Sequence, residues 1–394
     1  MKTFEHQLAQ ATVPAIRGIL GAIGLVLDRK GDTLYHHAAG HQSLEPDGPP
    51  LDPDSTVALG SAGKFITHIA ALQHVERGAV NLDDPIENHL PELGSLPLIV
   101  RSDGNTPPFK LQVPTNKITL RHLLLHASGL ASSDDPVIRA YLDTNPAPLH
   151  SPNTESGIIK NFSLPLVFEP GDGFAYGCSI HWTQLLVGRL AAKEGSNFLD
   201  HVQTNIFEPL RMTSSTYMPR DHPSIWDRRL RMVEREQPSS TLLVPADDAT
   251  QGLVCSITDV GKILTDLISP SSKLLKRRDL IDLLFEGQLT GKALDGLRGE
   301  QDNFEWSAGR VASGDGPPPV NWSAGGLVLE GGSQELWGIP EGTLTWEGMP
   351  NVHWAVHREK GLALFFATQL IPFGDPKAHK LAQVFMKEAW TTFS

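Results

Sequence analysis

Two β-hairpins are written near opposite ends of this chain, and together they constrain its fold more than any other feature. Residues 19–27 are apolar and glycine-containing, Asp28-Arg29-Lys30-Gly31-Asp32 reads as a turn, and residues 34–39 read as the returning strand. Far downstream, Val352-His353-Trp354-Ala355-Val356-His357 alternates in part. Arg358-Glu359-Lys360-Gly361 then turns the chain into Leu362-Ala363-Leu364-Phe365-Phe366-Ala367-Thr368. A helix is expected before the first hairpin, over residues 5–13, and another after the second, over 377–390, where Leu381, Val384, Phe385 and Ala389 fall on one stripe. Between the hairpins helical signals dominate from residue 64 to about 194. Pro107-Pro108, the prolines of 146–152 and Pro317-Pro318-Pro319 mark loops. The expected class is α+β, an antiparallel sheet built from both chain ends and flanked by helices, with a mostly helical region inserted. One domain over 1–394 is expected, with a sheet lobe from about 1–60 and 250–394 and a helical lobe from about 61–249. A functional site would lie at the seam.

Composition narrows the function classes. A 394-residue chain that is 40% hydrophobic and 20% charged can bury a sizeable core. Its formal charge of −12 argues against a nucleic-acid partner and against electrostatic docking on anionic membranes. Two cysteines, Cys178 and Cys255, make no disulfide framework and are expected as free thiols. The polar N-terminus lacks a signal-peptide core, and no apolar run reaches the ~18 residues of a membrane span. A cytoplasmic location is therefore expected. There is no H-E-x-x-H, C-x-x-C, phosphate-loop or dinucleotide pattern, so neither a metal nor a cofactor is expected.

The chemistry begins at Ser61-Ala62-Gly63-Lys64, which reads S-x-x-K at the start of a helical run. Residues three apart share a helix face, so the amine can sit beside the hydroxyl. Serine is a poor nucleophile until a neighbouring base takes its proton, and burial favours the neutral amine that can do so. The bland alternative is a capping serine and a solvated lysine. In Phe168-Glu169-Pro170-Gly171-Asp172-Gly173-Phe174-Ala175-Tyr176-Gly177-Cys178-Ser179, a Pro-Gly turn leads to Tyr176 just before another helix. A phenol near an amine can shuttle protons between nucleophile and leaving group; the alternative is an ordinary packed tyrosine.

Other motifs read as structure. His126 and Ser128, in Leu124-Leu125-His126-Ala127-Ser128-Gly129-Leu130, have no orienting carboxylate nearby, so a triad is rejected. The segment reads as a helix ending in a Gly turn, with His126 satisfying backbone groups. Asp83-Asp84 are expected to cap and turn, and Arg228-Arg229-Leu230-Arg231 to form a solvated face. Gly342-Thr343-Leu344-Thr345-Trp346-Glu347-Gly348-Met349-Pro350-Asn351 reads as a strand with a glycine at a close approach. A backbone N–H there is a candidate partner for that of Ser61 in an oxyanion hole.

Taken together, these motifs resemble the serine β-lactamase and penicillin-binding-protein superfamily, whose nucleophile motif is S-x-x-K. The chain is more similar to the class C β-lactamase-related esterases, and most to the fungal acyltransferases of secondary metabolism that attach the lovastatin side chain. The block at 124–130 matches L-L-x-H-x-S-G-L, and the strand at 342–351 matches G-T-x-x-W-G-G-x-P-N except that Glu347 replaces a glycine. The Y-x-N and K-T-G of true lactamases are absent: Cys178 stands at the asparagine position, and Thr345-Trp346-Glu347-Gly348 fills the last-strand region. Antibiotic hydrolysis is therefore not expected. Glu347 puts a carboxylate next to the expected oxyanion hole, unless strand alternation turns it away.

The resemblance implies Ser61 as nucleophile, Lys64 and Tyr176 as the proton-transfer pair, and the N–H groups of Ser61 and Gly348 as oxyanion donors. Phe174, Cys178, Trp182, Trp322, Trp346 and Glu347 are candidate pocket residues, with core packing the blander reading. The implied partners are an acyl thioester or ester donor, free or on a carrier protein, and a small-molecule alcohol as acceptor. Ester hydrolysis at the same site is the alternative, and an inactive scaffold a third reading.

Overall fold

A computed structural model of the chain describes residues 1–13, 18–102, 109–151, 154–236, 242–247, 252–301, 319–331 and 337–394. The prolines expected to punctuate the chain at 107–108, 152 and 317–318 lie outside these residues.

Both hairpins form, and they join in one sheet. Helix α1 (Lys2–Ala11) precedes β1 (Gly21–Asp28) and β2 (Thr33–Gly40). The rest of the sheet is β3 (Val320–Trp322), β4 (Leu327–Leu329), β5 (Leu344–Gly348), β6 (Val352–His357) and β7 (Leu362–Ala367). The order is β3-β4-β5-β6-β7-β1-β2, and every pairing is antiparallel. β1 thus closes onto β7, with Gly24 opposite Phe366 and Leu25 opposite Phe365.

β1 reads as an unbroken apolar run because both of its faces are covered. On one face lie α1 and the last helix, Pro376–Phe393. There, a β-carbon on Gly24 would meet Phe385 Cε2 at 2.6 Å, so only glycine lets that ring approach. Phe4, Phe366 and Phe385 cluster with ring centroids 5.2–6.2 Å apart. Each such fully buried side chain contributes roughly 1.5–3 kcal/mol of transfer free energy. On the other face Leu25 and Leu27 meet helix Ile257–Ile268 at Gly261, where a β-carbon would lie 2.7 Å from Leu27 Cδ1.

The inserted region centres on α2 (Lys64–Glu76), whose residues from Phe65 to Val75 are all buried. A helix covered on every side belongs to the interior, which gives its N-terminus a rigid setting. α3 (Leu120–Leu124) packs on α4 (Ser179–Ala192), which packs in turn on α2; α5 (Ile257–Ile268) and α6 (Pro376–Phe393) follow in the chain. The region is not purely helical: Leu98–Arg101 pairs with Phe109–Gln112 in a two-stranded ribbon.

Two peripheral expectations sort out differently. Asp83 pairs with Arg121 at 2.6 Å and Asp84 accepts from Asn81, in keeping with a turn. The 228–231 run is not simply a solvated face. Arg229 is buried, its guanidinium 3.4 Å from the centroid of the Trp226 ring, so the cation is sheltered by an aromatic face.

Candidate active site

The chain reaches Ser61 through a short strand, Thr56–Ala58, paired antiparallel with Val254–Ser256. The Gln369 side chain brackets Ala58, accepting its N–H at 2.9 Å and donating to its carbonyl at 3.1 Å. Gly60 then takes φ +54°, and a 3-10 turn, Gly60–Gly63, runs directly into α2. Trp354 of β6 donates its indole N–H to the Ala62 carbonyl at 2.9 Å, fixing this turn to the sheet. On it, Lys64 Nζ lies 2.6 Å from Ser61 Oγ.

Tyr176 is brought to this pair by two segments joined edge to edge. The chain after α3 takes a left-handed residue at His126, φ +55°, and another at Gly129, φ +85°. The N–H groups of Gly171 and Ala175 donate to the carbonyls of Ala127 and His126 at 2.8 and 2.9 Å. Ser128 Oγ and Ser179 Oγ are 2.8 Å apart, so Ser128 ties the segment to the start of α4. Lys64 Nζ lies 4.8 Å from the centroid of the Tyr176 ring, and Trp346 of β5 donates its indole N–H to the Tyr176 hydroxyl at 3.0 Å.

Aromatic rings enclose the tyrosine. Trp346, Trp322 and His126 have ring centroids 5.1, 5.9 and 4.6 Å from it, and Phe174 packs on Trp322 at 5.5 Å. Phe174, Trp322 and Trp346 therefore gather with Tyr176. Trp182 does not line a pocket: it is fully buried in α4 and donates to the Phe162 carbonyl at 3.2 Å. Cys178 is also turned inward, its Sγ 3.3 Å from the Ala131 carbonyl oxygen, and burial pushes the thiol up to about 12.

β5 crosses directly above the Ser61 turn. A β-carbon on Gly348 would stand 2.0 Å from the Leu59 carbonyl oxygen and 3.3 Å from Ala62 Cβ. That close approach is the reason for glycine here, and it puts Gly348 beside Ser61. Glu347 points to the other face of the strand, where its Oε2 lies 3.1 Å from His353 Nδ1 of β6. The carboxylate is thus turned away from the Ser61 side, as strand alternation demands.

Two histidines belong to the setting although the sequence did not single them out for it. His68, four residues after Lys64, is buried and faces the Ala324 carbonyl through Nδ1 at 2.9 Å, so Nδ1 carries the proton. Burial, with a contribution from Lys64, lowers its imidazole to about 4. His126 is buried against Tyr176, and burial, then His68 and Lys64, hold it well below its usual range. Its ring does not serve backbone groups as expected; its backbone carbonyl does, through Ala175. The helical spacing of Lys64 and His68 was the available signal for the first; the 124–130 motif marked the second, but as a backbone-serving residue and not as a ring against Tyr176.

Among the described residues, no cluster of three His, Cys, Asp or Glu side chains is placed to hold a metal ion, and no helix is long and apolar enough to cross a membrane.

Comparison with known proteins identifies the family and the fold. The family described as Beta-lactamase matches residues 8–384. The chain is 31% identical over 394 residues to monacolin J acid methylbutanoyltransferase of Aspergillus terreus, covering 94% of this chain and 91% of that protein. It is 28% identical over 395 residues to lovastatin esterase of Penicillium rubens, covering 95% of each. The unliganded simvastatin synthase (LovD) from Aspergillus terreus superposes with a TM-score of 0.87 at 27% identity, covering 100% of this chain and 98% of that one. With the serine–lysine turn, the tyrosine loop and the crossing strand in place, the chain belongs to the beta-lactamase family, and its close relatives there are fungal acyltransferases of the lovastatin type.

Proposed function

We propose that the protein is a serine acyltransferase that carries an acyl group from a thioester or ester donor, through an acyl-enzyme on Ser61, to the hydroxyl of a small-molecule acceptor. The observation that carries this reading is the 2.6 Å contact between Lys64 Nζ and Ser61 Oγ.

In the first half-reaction Ser61 Oγ attacks the donor carbonyl carbon. Its proton passes to the Lys64–Tyr176 pair and on to the departing thiol or alcohol as the C–S or C–O bond breaks. The negative charge on the carbonyl oxygen is held by the backbone N–H groups of Ser61 and Gly348. In the second half-reaction the acceptor hydroxyl attacks the acyl carbon. Its proton returns through the same pair to Ser61 Oγ as the serine ester breaks. No cofactor enters either step.

The Aspergillus terreus relative is named for methylbutanoyl transfer, which supports a short branched acyl group here, presented as a free thioester or on a carrier protein. Its named acceptor is monacolin J acid, and the resemblance to the lovastatin-type acyltransferases supports a polyketide alcohol as the acceptor class here. Ester hydrolysis, with water as acceptor, is the second reading; the lovastatin esterase relative supports it through the same machinery. An enzyme of the acyltransferase or ester-hydrolase type accounts for both.

The test is product analysis with a short acyl thioester, with and without candidate alcohols. A new ester formed in wild type and lost in Ser61→Ala supports the transferase. Free acid alone, whatever alcohol is present, favours the hydrolase. Unchanged turnover in Ser61→Ala contradicts both.

A further inference from the structure

We propose that Glu347 and His353 are a positioning pair that aims the Gly348 N–H at the reacting oxygen, an inference that rests on the acyl-transfer reading. The two residues sit directly opposite each other in the β5–β6 register. Glu347 Oε2 and His353 Nδ1 are 3.1 Å apart, with side chains only 7% and 4% exposed. The face they occupy is closed. His353 packs against Phe366 and Trp337, each with ring centroids 6.1 Å away, and Trp337 packs in turn on His379 of α6 at 5.1 Å. A carboxylate withdrawn from water in this way depends on the proton donors around it, and losing one is costly.

The link to the site is covalent. The Gly348 nitrogen is bonded to the Glu347 carbonyl carbon, so the plane of that peptide sets where the N–H points. On one side Gly348 is seated against the Leu59 carbonyl, with no room for a β-carbon. On the other side Glu347 is moored to the neighbouring strand through its side chain. A residue anchored at both ends of the peptide plane cannot easily swing the N–H. The motif this strand resembles has glycine at the position of Glu347, and glycine offers no such mooring. The departure that looked like a threat to the oxyanion hole therefore becomes a brace behind it.

The test compares wild type with Glu347→Ala, Glu347→Gln and His353→Gln at a temperature well below each melting transition. Two quantities are read: kcat and KM on a short acyl thioester, and affinity for an alkyl trifluoromethyl ketone, which forms a tetrahedral oxyanion on serine. Loss of one aligned oxyanion donor costs on the order of a hundredfold or more in kcat, so misalignment in Glu347→Ala is expected to cost roughly tenfold to a hundredfold. The ketone should weaken in step and KM should stay within about twofold. Glu347→Gln, which still accepts from His353, should recover most of the loss. His353→Gln carries the same test if Glu347→Ala does not fold. Variants that keep wild-type kcat and ketone affinity overturn the proposal, as does a fall in melting temperature with no change in either. A wild-type enzyme with no turnover and no ketone adduct would instead refute the acyl-transfer reading itself.

Discussion

Trp346 donates its indole N–H to the hydroxyl of Tyr176 across 3.0 Å. The last-strand region that carries K-T-G in lactamases here carries an aromatic donor that holds the tyrosine. Trp346→Phe keeps an aromatic side chain, though a smaller one, and removes the donor. On the proposed role of Tyr176 in proton transfer, a hydrogen bond to a group that gains charge is worth roughly 1.5–3 kcal/mol, so kcat is expected to fall on the order of tenfold to a hundredfold. Steady-state kinetics on a thioester checks this, and an unchanged kcat would remove the bond from the account.

Gly348 offers a steric prediction. Its added β-carbon would meet a backbone oxygen, the Leu59 carbonyl, at 2.0 Å, and backbone cannot move aside as a flexible side chain can. Gly348→Ala is expected to lose about 1–3 kcal/mol of stability by overpacking and most of its activity. Chemical denaturation and turnover measure the two effects; a variant normal in both would contradict the close crossing of β5 over the Ser61 turn.

The cysteines are expected to be silent. Cys178 and Cys255 are both buried, and burial pushes each thiol up to about 12, far from the thiolate that reacts. Iodoacetamide at neutral pH should leave mass and activity unchanged, whereas two labels should appear in guanidinium chloride. Rapid native labelling of Cys178 with loss of activity would place its sulfur in the substrate's path.

Much of this is legible in the sequence alone. The hairpins and terminal helices announce themselves by local apolar patterns, and S-x-x-K needs only helical spacing to bring Lys64 to Ser61. The long-range contacts were not readable by the same means. Tyr176 reaches Lys64 because the 126–131 and 171–179 segments join, and no local pattern encodes that joining. Trp182 and Trp322 look alike in sequence, yet one is enclosed by its own helix packing and the other faces Tyr176. Glu347 was legible as an anomaly, but its resolution depends on a cross-strand partner, His353, fixed by register. His126 was marked by its motif, but its ring packing on Tyr176 leaves no spacing signature.

The buried imidazoles predict acid sensitivity. His68, His74 and His201 are buried, and burial lowers each to about 4, while His126 lies well below its usual range for the same first cause. Unfolded, each binds a proton near 6.5. Between these values the unfolded chain holds more protons than the folded one, so stability is full above about pH 6.5 and falls as pH drops toward 4. Melting temperatures at pH 7.5, 6 and 5 should decline in that order, and His68→Asn should flatten the slope. A flat profile over this window would mean that these side chains are solvated.

The most direct test of the central claim is the intact mass of the protein after mixing with a short acyl thioester, in wild type and in Ser61→Ala. The account predicts a gain of one acyl group in wild type alone, retained on the peptide containing Ser61 and discharged by an alcohol acceptor or by water. An equal gain in Ser61→Ala, or thioester turnover that survives that substitution, would contradict it.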